Sequence, residues 1–301
     1  MKLATILHKN EQMVVLADDE KKRYLHIGQA AKELLNQKLD TSSMIDCIQM
    51  GQEFIDTLVQ VQEAAVSAQD SDSLYIRFDE AQLLAPIPRP QKNIFCVGKN
   101  YADHAIEMGS EADIPKHVML FSKTPTTVIG PEAYVPNHEG VTDSLDYEGE
   151  LAVIIGKTGK DIEAQSALDY IFGYTIINDV TARDLQSRHK QFLIGKSLDG
   201  SCPMGPYIIH HSAVPDPSNL DIETKINGEV RQKSNTSHFI FSIEDIISTI
   251  SKGMTLEAGD IIATGTPAGV GKGFKPPKFL KSGDTMEISI KGLGKLANTI
   301  K

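Results

Sequence analysis

Asp146-Tyr147-Glu148-Gly149-Glu150-Leu151-Ala152-Val153-Ile154-Ile155 carries three carboxylates into the start of a long apolar run. Side chains alternate faces along a strand, so the spacing predicts Asp146, Glu148 and Glu150 on one face, with Gly149 leaving the approach to a shared partner unobstructed. Like charges so placed call for a cation, because otherwise their repulsion raises the pKa of at least one carboxyl and weakens the strand end. Glu-x-Glu also occurs at solvated strand edges without chemical consequence. The stretch alone therefore leaves a metal site and a wet edge both open.

Downstream, Tyr174-Thr175-Ile176-Ile177-Asn178-Asp179-Val180 is apolar until its polar end. A carboxylate at the end of a buried strand is costly unless paired or bound to a cation, which makes Asp179 a natural third ligand. Its competing reading is a helix N-cap ahead of Ala182-Arg183-Asp184-Leu185, a role that Thr181 can also fill. Three oxygen donors without a His-Cys cluster favour Mg²⁺ or Mn²⁺ over structural zinc. Behind the apolar run Phe192-Leu193-Ile194, Lys196 is placed to balance those carboxylates and stabilise an oxyanion if it reaches them.

Upstream, residues 93–97 read as a buried strand ending at Gly98-Lys99-Asn100-Tyr101-Ala102-Asp103-His104-Ala105-Ile106-Glu107. One or two helical turns put His104 and Glu107 on one face, where the carboxylate can hold the imidazole as a general base. A surface ion pair has the same spacing. Residues 109–115 form a polar loop punctuated by Gly and Pro, suited to a lid. Phe121-Ser122-Lys123-Thr124-Pro125 either lines a pocket or ends a strand. Towards the C-terminus, Thr264-Gly265-Thr266-Pro267-Ala268-Gly269-Val270-Gly271-Lys272-Gly273 turns a strand into a Gly-rich loop. Thr266 stands where a phosphate loop needs its first Gly, and Gly273 stands where Ser or Thr must follow the lysine, so that pattern fails. A loop of backbone N–H groups and hydroxyls suited to a small carboxylate remains.

The rest of the chain bounds these readings. Residues 1–88 read as a small α+β domain and 89–301 as a larger one, joined at the rigid Ala85-Pro86-Ile87-Pro88-Arg89-Pro90. Within the first, residues 3–7 and 13–16 are paired strands and residues 30–35 a short helix. Ile45, Ile48, Phe54, Leu58 and Val61 predict a longer helix within 42–68, and residues 74–84 return to strand. Asn227-Gly228 predicts a hairpin, and residues 242–250 a capped helix. A net charge of −10 offers no field for nucleic acid or an anionic membrane. Three scattered cysteines exclude a disulfide framework, and neither a signal peptide nor a spanning run is seen; a cytoplasmic protein is expected.

Taken in order, these motifs resemble the fumarylacetoacetate hydrolase superfamily over residues 90–301. The resemblance implies a mixed β fold with some α, a β-sandwich roll here preceded by the small N-terminal domain, usually a homodimer, with Mg²⁺ or Mn²⁺ held by carboxylates. Carried over by motif, Glu148, Glu150 and Asp179 match the metal ligands and Asp146 becomes structural. His104 and Glu107 match the lid dyad, and Lys196 the active-site lysine. Gly265 and Thr266 match the loop that meets the substrate carboxylate, and Gln186 a polar group beside substrate. Fumarylacetoacetase itself has a further carboxylate ligand just before its His, where this chain has Asn100-Tyr101. The activity implied is C–C cleavage of a small 2-oxo acid, by oxaloacetate decarboxylation or acylpyruvate hydrolysis. The alternatives are isomerisation or decarboxylation of a 2-hydroxymuconate-type catabolite, and a non-catalytic scaffold role.

Overall fold

Leu151, Val153 and Ile155 enter one apolar cluster while Ala152 and Ile154 enter another, the two-residue alternation of a strand buried on both faces. This strand, Gly149–Ile155, pairs antiparallel with Ile171–Asn178 on one side and Ile261–Ala263 on the other. Together they form the middle of a 12-stranded sheet in a computed structural model that describes residues 1–68 and 72–301. Beyond Ile261–Ala263 the sheet continues to Ile94–Gly98 in parallel and then to Met119–Lys123. In the other direction it passes through Cys202–His210 to Lys2–His8, Glu11–Asp18, Arg23–Leu25 and Tyr75–Arg77. The strands of residues 1–88 and those of the following segment thus share one hydrogen-bonded sheet.

A second sheet of five strands runs Glu229–Asn235, Asp221–Ile226, Thr285–Ile290, Gly294–Ile300 and Tyr134–Val135. Ile222, Ile288, Ile290 and Leu296 from this sheet join Leu151 and Val153 in one core, which makes the two sheets a sandwich. On the opposite face of the large sheet, helices Ile27–Leu35 and Gln52–Ser67 pack through Ala30, Phe54 and Leu58 against Leu3, Val14 and Ile154. Mixed β with some α, arranged as a sandwich, is the architecture that the motifs imply.

Several local expectations shift. The helix expected within 42–68 is two helices, Met44–Gln49 and Gln52–Ser67, because Gly51 between them takes φ +63° and breaks the helical run. The strand expected at 74–84 is interrupted by a 3-10 turn at Phe78–Glu80. Asn227-Gly228 closes the hairpin between Asp221–Ile226 and Glu229–Asn235 as expected. Ser242 caps helix Ile243–Ser251 through a capping box with Asp245. Among the described residues, no helix is long and apolar enough to cross a membrane.

Candidate functional site

The carboxylate motif does not run as one strand. Leu145–Asp146 pairs with Thr181–Ala182, and the central strand begins only at Gly149. The interruption separates the roles of the three acids. Asp146 accepts from the backbone N–H of Tyr147 (3.0 Å), Gly271 (2.6 Å) and Lys272 (3.0 Å) and from Arg183 Nε (2.8 Å), so its lone pairs are filled by protein. It clamps the Gly-rich loop to Arg183. Asp146→Ala removes one of the two carboxylates that face the 3%-exposed guanidinium, together with the acceptor for three backbone N–H groups, and is expected to destabilise the fold by about 3–5 kcal/mol, measured by denaturant unfolding. Gly149 also differs from expectation: a Cβ there meets Thr224 Oγ1 at 2.3 Å and Ile288, so the glycine serves the close approach of the second sheet.

Glu148, Glu150 and Asp179 each present a carboxylate oxygen within 4.8 Å of the others, and all three are buried. Asp179 follows strand Ile171–Asn178, its N–H donating to Glu148 O (2.8 Å), and it caps no helix: helix Arg183–His189 begins after Ala182. Lys196 Nζ donates to Glu148 Oε2 (2.6 Å) and Asp179 Oδ2 (2.8 Å). Arg183 stands 2.7 Å from Glu148 Oε1, and Lys123 Nζ 2.9 Å from Asp179 Oδ1. Burial opposes the charge on Glu148, but Lys196 and Arg183 outweigh it and hold that carboxyl below its usual range. Burial likewise opposes the Lys196 ammonium, and Asp179 and Glu148 reverse the effect and raise it.

Glu150 is the exception. Burial and the charges of Asp179 and Glu148 push its carboxyl well above the usual range, and its protein donor is the N–H of Gly265 (2.8 Å). Asp179 Oδ1, despite Lys123 nearby, lacks a hydrogen bond of proper geometry. A carboxylate without a cation and an orphaned carboxylate oxygen, beside a third acid, form a hard all-oxygen donor set that fits Mg²⁺ or Mn²⁺.

His104 and Glu107 lie on the short helix Ala102–Glu107, with Glu107 Oε2 3.3 Å from His104 Nδ1. The Gly-rich loop holds the carboxylate in turn: Gly269 N–H donates to Glu107 Oε1 (2.9 Å), and a Cβ on Gly273 meets the same carboxylate at 2.2 Å. Asn100 ties the segment before the helix to Thr264 O (2.9 Å) and to Phe241. The imidazole is thus buried in a braced pair.

A cavity of about 180 Å³ opens over these groups. His104, Glu148, Glu150, Gln186, Lys196 and Thr266 line it. Glu107, Asp179 and Gly265 stand behind, each bonded to a lining residue: Glu107 to His104, Asp179 to Lys196 and Gly265 to Glu150. The Thr266 hydroxyl bonds Gly149 O (2.9 Å) and Gln232 Nε2 (2.7 Å), and Gln186 Oε1 accepts from Arg183 (3.2 Å).

Sequence reasoning missed the electrostatic frame. Lys123, fully buried, also donates to Val180 O (3.0 Å), to Lys196 O and to Ser201 Oγ (3.2 Å). Its only signal was a lysine inside a strand-like run. Arg183 had a place in the motif but no stated partner, and its bonds to Asp146 and Glu148 depend on how the chain breaks between two strands.

The profile of the family described as fumarylacetoacetate (FAA) hydrolase C-terminal matches residues 93–301. The chain is 55% identical over 302 aligned positions to oxaloacetate tautomerase YisK of Bacillus subtilis (strain 168), covering 100% of both proteins. A solved fumarylacetoacetate hydrolase from psychrophilic Exiguobacterium antarcticum superposes with a TM-score of 0.82 at 41% identity, covering 100% of this chain and 99% of that one. The maleylpyruvate hydrolase of Sphingobium sp. SYK-6, solved with manganese (II) and pyruvate, gives 0.76 at 30% identity, covering 100% and 98%.

Proposed function

The chain belongs to the fumarylacetoacetate hydrolase family of enzymes, and on that premise we propose that it interconverts the enol and keto forms of a small 2-oxo dicarboxylic acid of the oxaloacetate type, using Mg²⁺ or Mn²⁺. The observation that carries this reading is the meeting of a braced His104–Glu107 pair with a buried three-carboxylate cluster and Lys196 around one small cavity. Likeness along the full length to a protein named oxaloacetate tautomerase supports the reaction, and likeness to a hydrolase solved with manganese and pyruvate supports the cofactor.

Glu148, Glu150 and Asp179 would hold the cation, which when bound supplies a Lewis acid for the oxygens of the 2-oxo acid. With its Nδ1–H donating to the Glu107 carboxylate, His104 keeps a lone pair on Nε2 and acts as general base. It takes a proton from C3 of the keto acid as the C2–C3 double bond forms, the C2 oxygen takes a proton from water, and the imidazolium returns its proton to solvent; the reverse transfers return the keto acid. Lys196 supplies fixed positive charge where negative charge builds on that oxygen. The amide N–H groups of Gln186 and the backbone N–H of Thr266, whose hydroxyl is held by Gly149 and Gln232, would orient the substrate carboxylate. The proposal extends to a cytoplasmic homodimer in which residues 1–88 and 89–301 form two domains.

C–C cleavage is the second reading, favoured by the same cation set: Lys196 and Arg183 can stabilise the enolate released when C3–C4 breaks, either directly with loss of CO₂ or after a water activated by His104 has added to C4, and the enolate then takes a proton at C3. The test follows the ultraviolet absorbance of enol-oxaloacetate with Mg²⁺ or Mn²⁺ while CO₂ and pyruvate are measured in parallel. Tautomerisation predicts loss of enol well above the buffer rate without matching CO₂. Stoichiometric CO₂, or cleavage of acetylpyruvate at a comparable rate, moves the assignment to the lyase and hydrolase reading. Failure of metal-loaded protein to turn over oxaloacetate, acetylpyruvate or a 2-hydroxymuconate overturns both in favour of a scaffold role.

A further inference from the structure

Four cationic side chains line the cavity: Lys99, Arg183, Lys196 and Lys272. Three are already matched by carboxylates. Lys99 pairs with Asp113 (3.2 Å), Arg183 with Asp146 and Glu148 (2.8 and 2.7 Å), and Lys196 with Glu148 and Asp179 (2.6 and 2.8 Å). Among the described residues Lys272 makes no ion pair, and its ammonium reaches only the hydroxyl of Ser187, at 3.5 Å. Lysines without partners are ordinary on open surface, but this one is partly buried, and burial together with the charge of Arg183 lowers its pKa from the usual value. An anion beside it relieves both effects.

The backbone aims this side chain. Asp146 accepts from the N–H groups of Gly271 and Lys272, the clamp that also holds Arg183, so the lysine is fixed at its root. Glu148 and Glu150 are buried, whereas Ser187 is exposed, so the lining runs from the carboxylate cluster outward to Lys272 and Ser187. Met108, Met119, Phe121 and Phe192 supply apolar wall along the cavity. A compact acid whose 2-oxo head lies at the carboxylate cluster therefore meets an unmatched positive charge at its other end.

We propose that Lys272, with Ser187 beside it, recognises the second carboxylate of a short 2-oxo dicarboxylate and makes this chain selective for diacids over 2-oxo monocarboxylates. The inference rests on the functional reading above for the placement of the 2-oxo head. A charge-assisted bond to a partly buried ammonium accounts for about 10- to 100-fold in affinity.

The test compares the parent with Lys272→Gln and Lys272→Arg, all loaded with Mn²⁺, in two measurements. Turnover kinetics use enol-oxaloacetate as the diacid and acetylpyruvate as the monocarboxylate. Calorimetric titration uses oxaloacetate, 2-oxobutyrate and oxalate on a His104→Ala background, where chemistry is suppressed. The expected result is a rise of about 10- to 100-fold in KM and Kd for oxaloacetate in Lys272→Gln, with kcat within about threefold. Oxalate and 2-oxobutyrate binding stay unchanged, and Lys272→Arg recovers much of the loss. Because the backbone N–H used by Asp146 is retained, intact oxalate binding also reports an intact site. Equal losses for mono- and diacids, unchanged oxaloacetate affinity, or a parent with no preference for the diacid overturns the inference even where tautomerisation is observed. A parent that fails to catalyse tautomerisation but loses oxaloacetate affinity selectively in Lys272→Gln supports it while the proposed reaction falls.

Discussion

Glu150→Gln is expected to abolish divalent-cation binding and reduce activity by at least about a thousandfold, while leaving the metal-free fold as stable as the parent or more so. The asymmetry follows from the partners of the three acids. Removing Glu148 takes one of two carboxylate partners from both Lys196 and Arg183, and removing Asp179 takes one from Lys196 and leaves buried Lys123 without an ion-pair partner among the described residues, so loss of activity in those variants is mixed with loss of structure. Glu150 has no basic partner among the described ion pairs, and its charge is opposed by burial, Asp179 and Glu148. An amide of the same shape removes that repulsion and still accepts from Gly265 N–H. In the parent, cation at a hundredfold excess over Kd adds about 2.7 kcal/mol of stability, an increment that Glu150→Gln should lack. Denaturant unfolding with and without Mn²⁺, alongside the enol assay, measures each part. Parent-like Mn²⁺ affinity would remove Glu150 from the ligand set, and a strongly destabilised metal-free variant would refute the electrostatic argument.

His104→Ala is expected to lower kcat by about 10²- to 10⁴-fold with Mn²⁺ affinity nearly unchanged. The imidazole bonds Glu107 rather than any of the three clustered acids, so its loss removes a proton carrier without breaking an ion pair of that cluster. Glu107→Gln should have a smaller effect on kcat, because Gly269 N–H still fixes the side chain and the amide oxygen can still accept from the imidazole. A fall in metal affinity parallel to that in kcat would mean that His104 supports the cluster structurally. An unchanged kcat would take the proton transfer away from it.

The elements that carry the site were readable where one local rule applies. Alternation through Leu151 to Ile155 marks a strand buried on both faces, and the i, i+3 spacing of His104 and Glu107 puts them on one helical face because each rule involves only a few bonds of backbone geometry. Motif order added the family, and with it a candidate ligand set where strand geometry had left the choice open. The same alternation misplaced Asp146, since a period of two assumes an unbroken strand and the chain breaks between Asp146 and Gly149.

By itself, then, the sequence determined which segments are strands and helices, that acids stand at the end of a buried strand, and which family their order belongs to. Only the tertiary structure decided which acid meets which cation. Lys123 finds Asp179 across 56 positions, Lys196 finds Glu148 across 48, and the Gly-rich loop reaches Asp146 across 125. Local periodicity sets the direction of a side chain relative to its own backbone. The charge it meets depends on the packing of distant strands, and so does the charge left without an ion-pair partner among the described residues, at Glu150 inside the cluster and at Lys272 on the cavity wall.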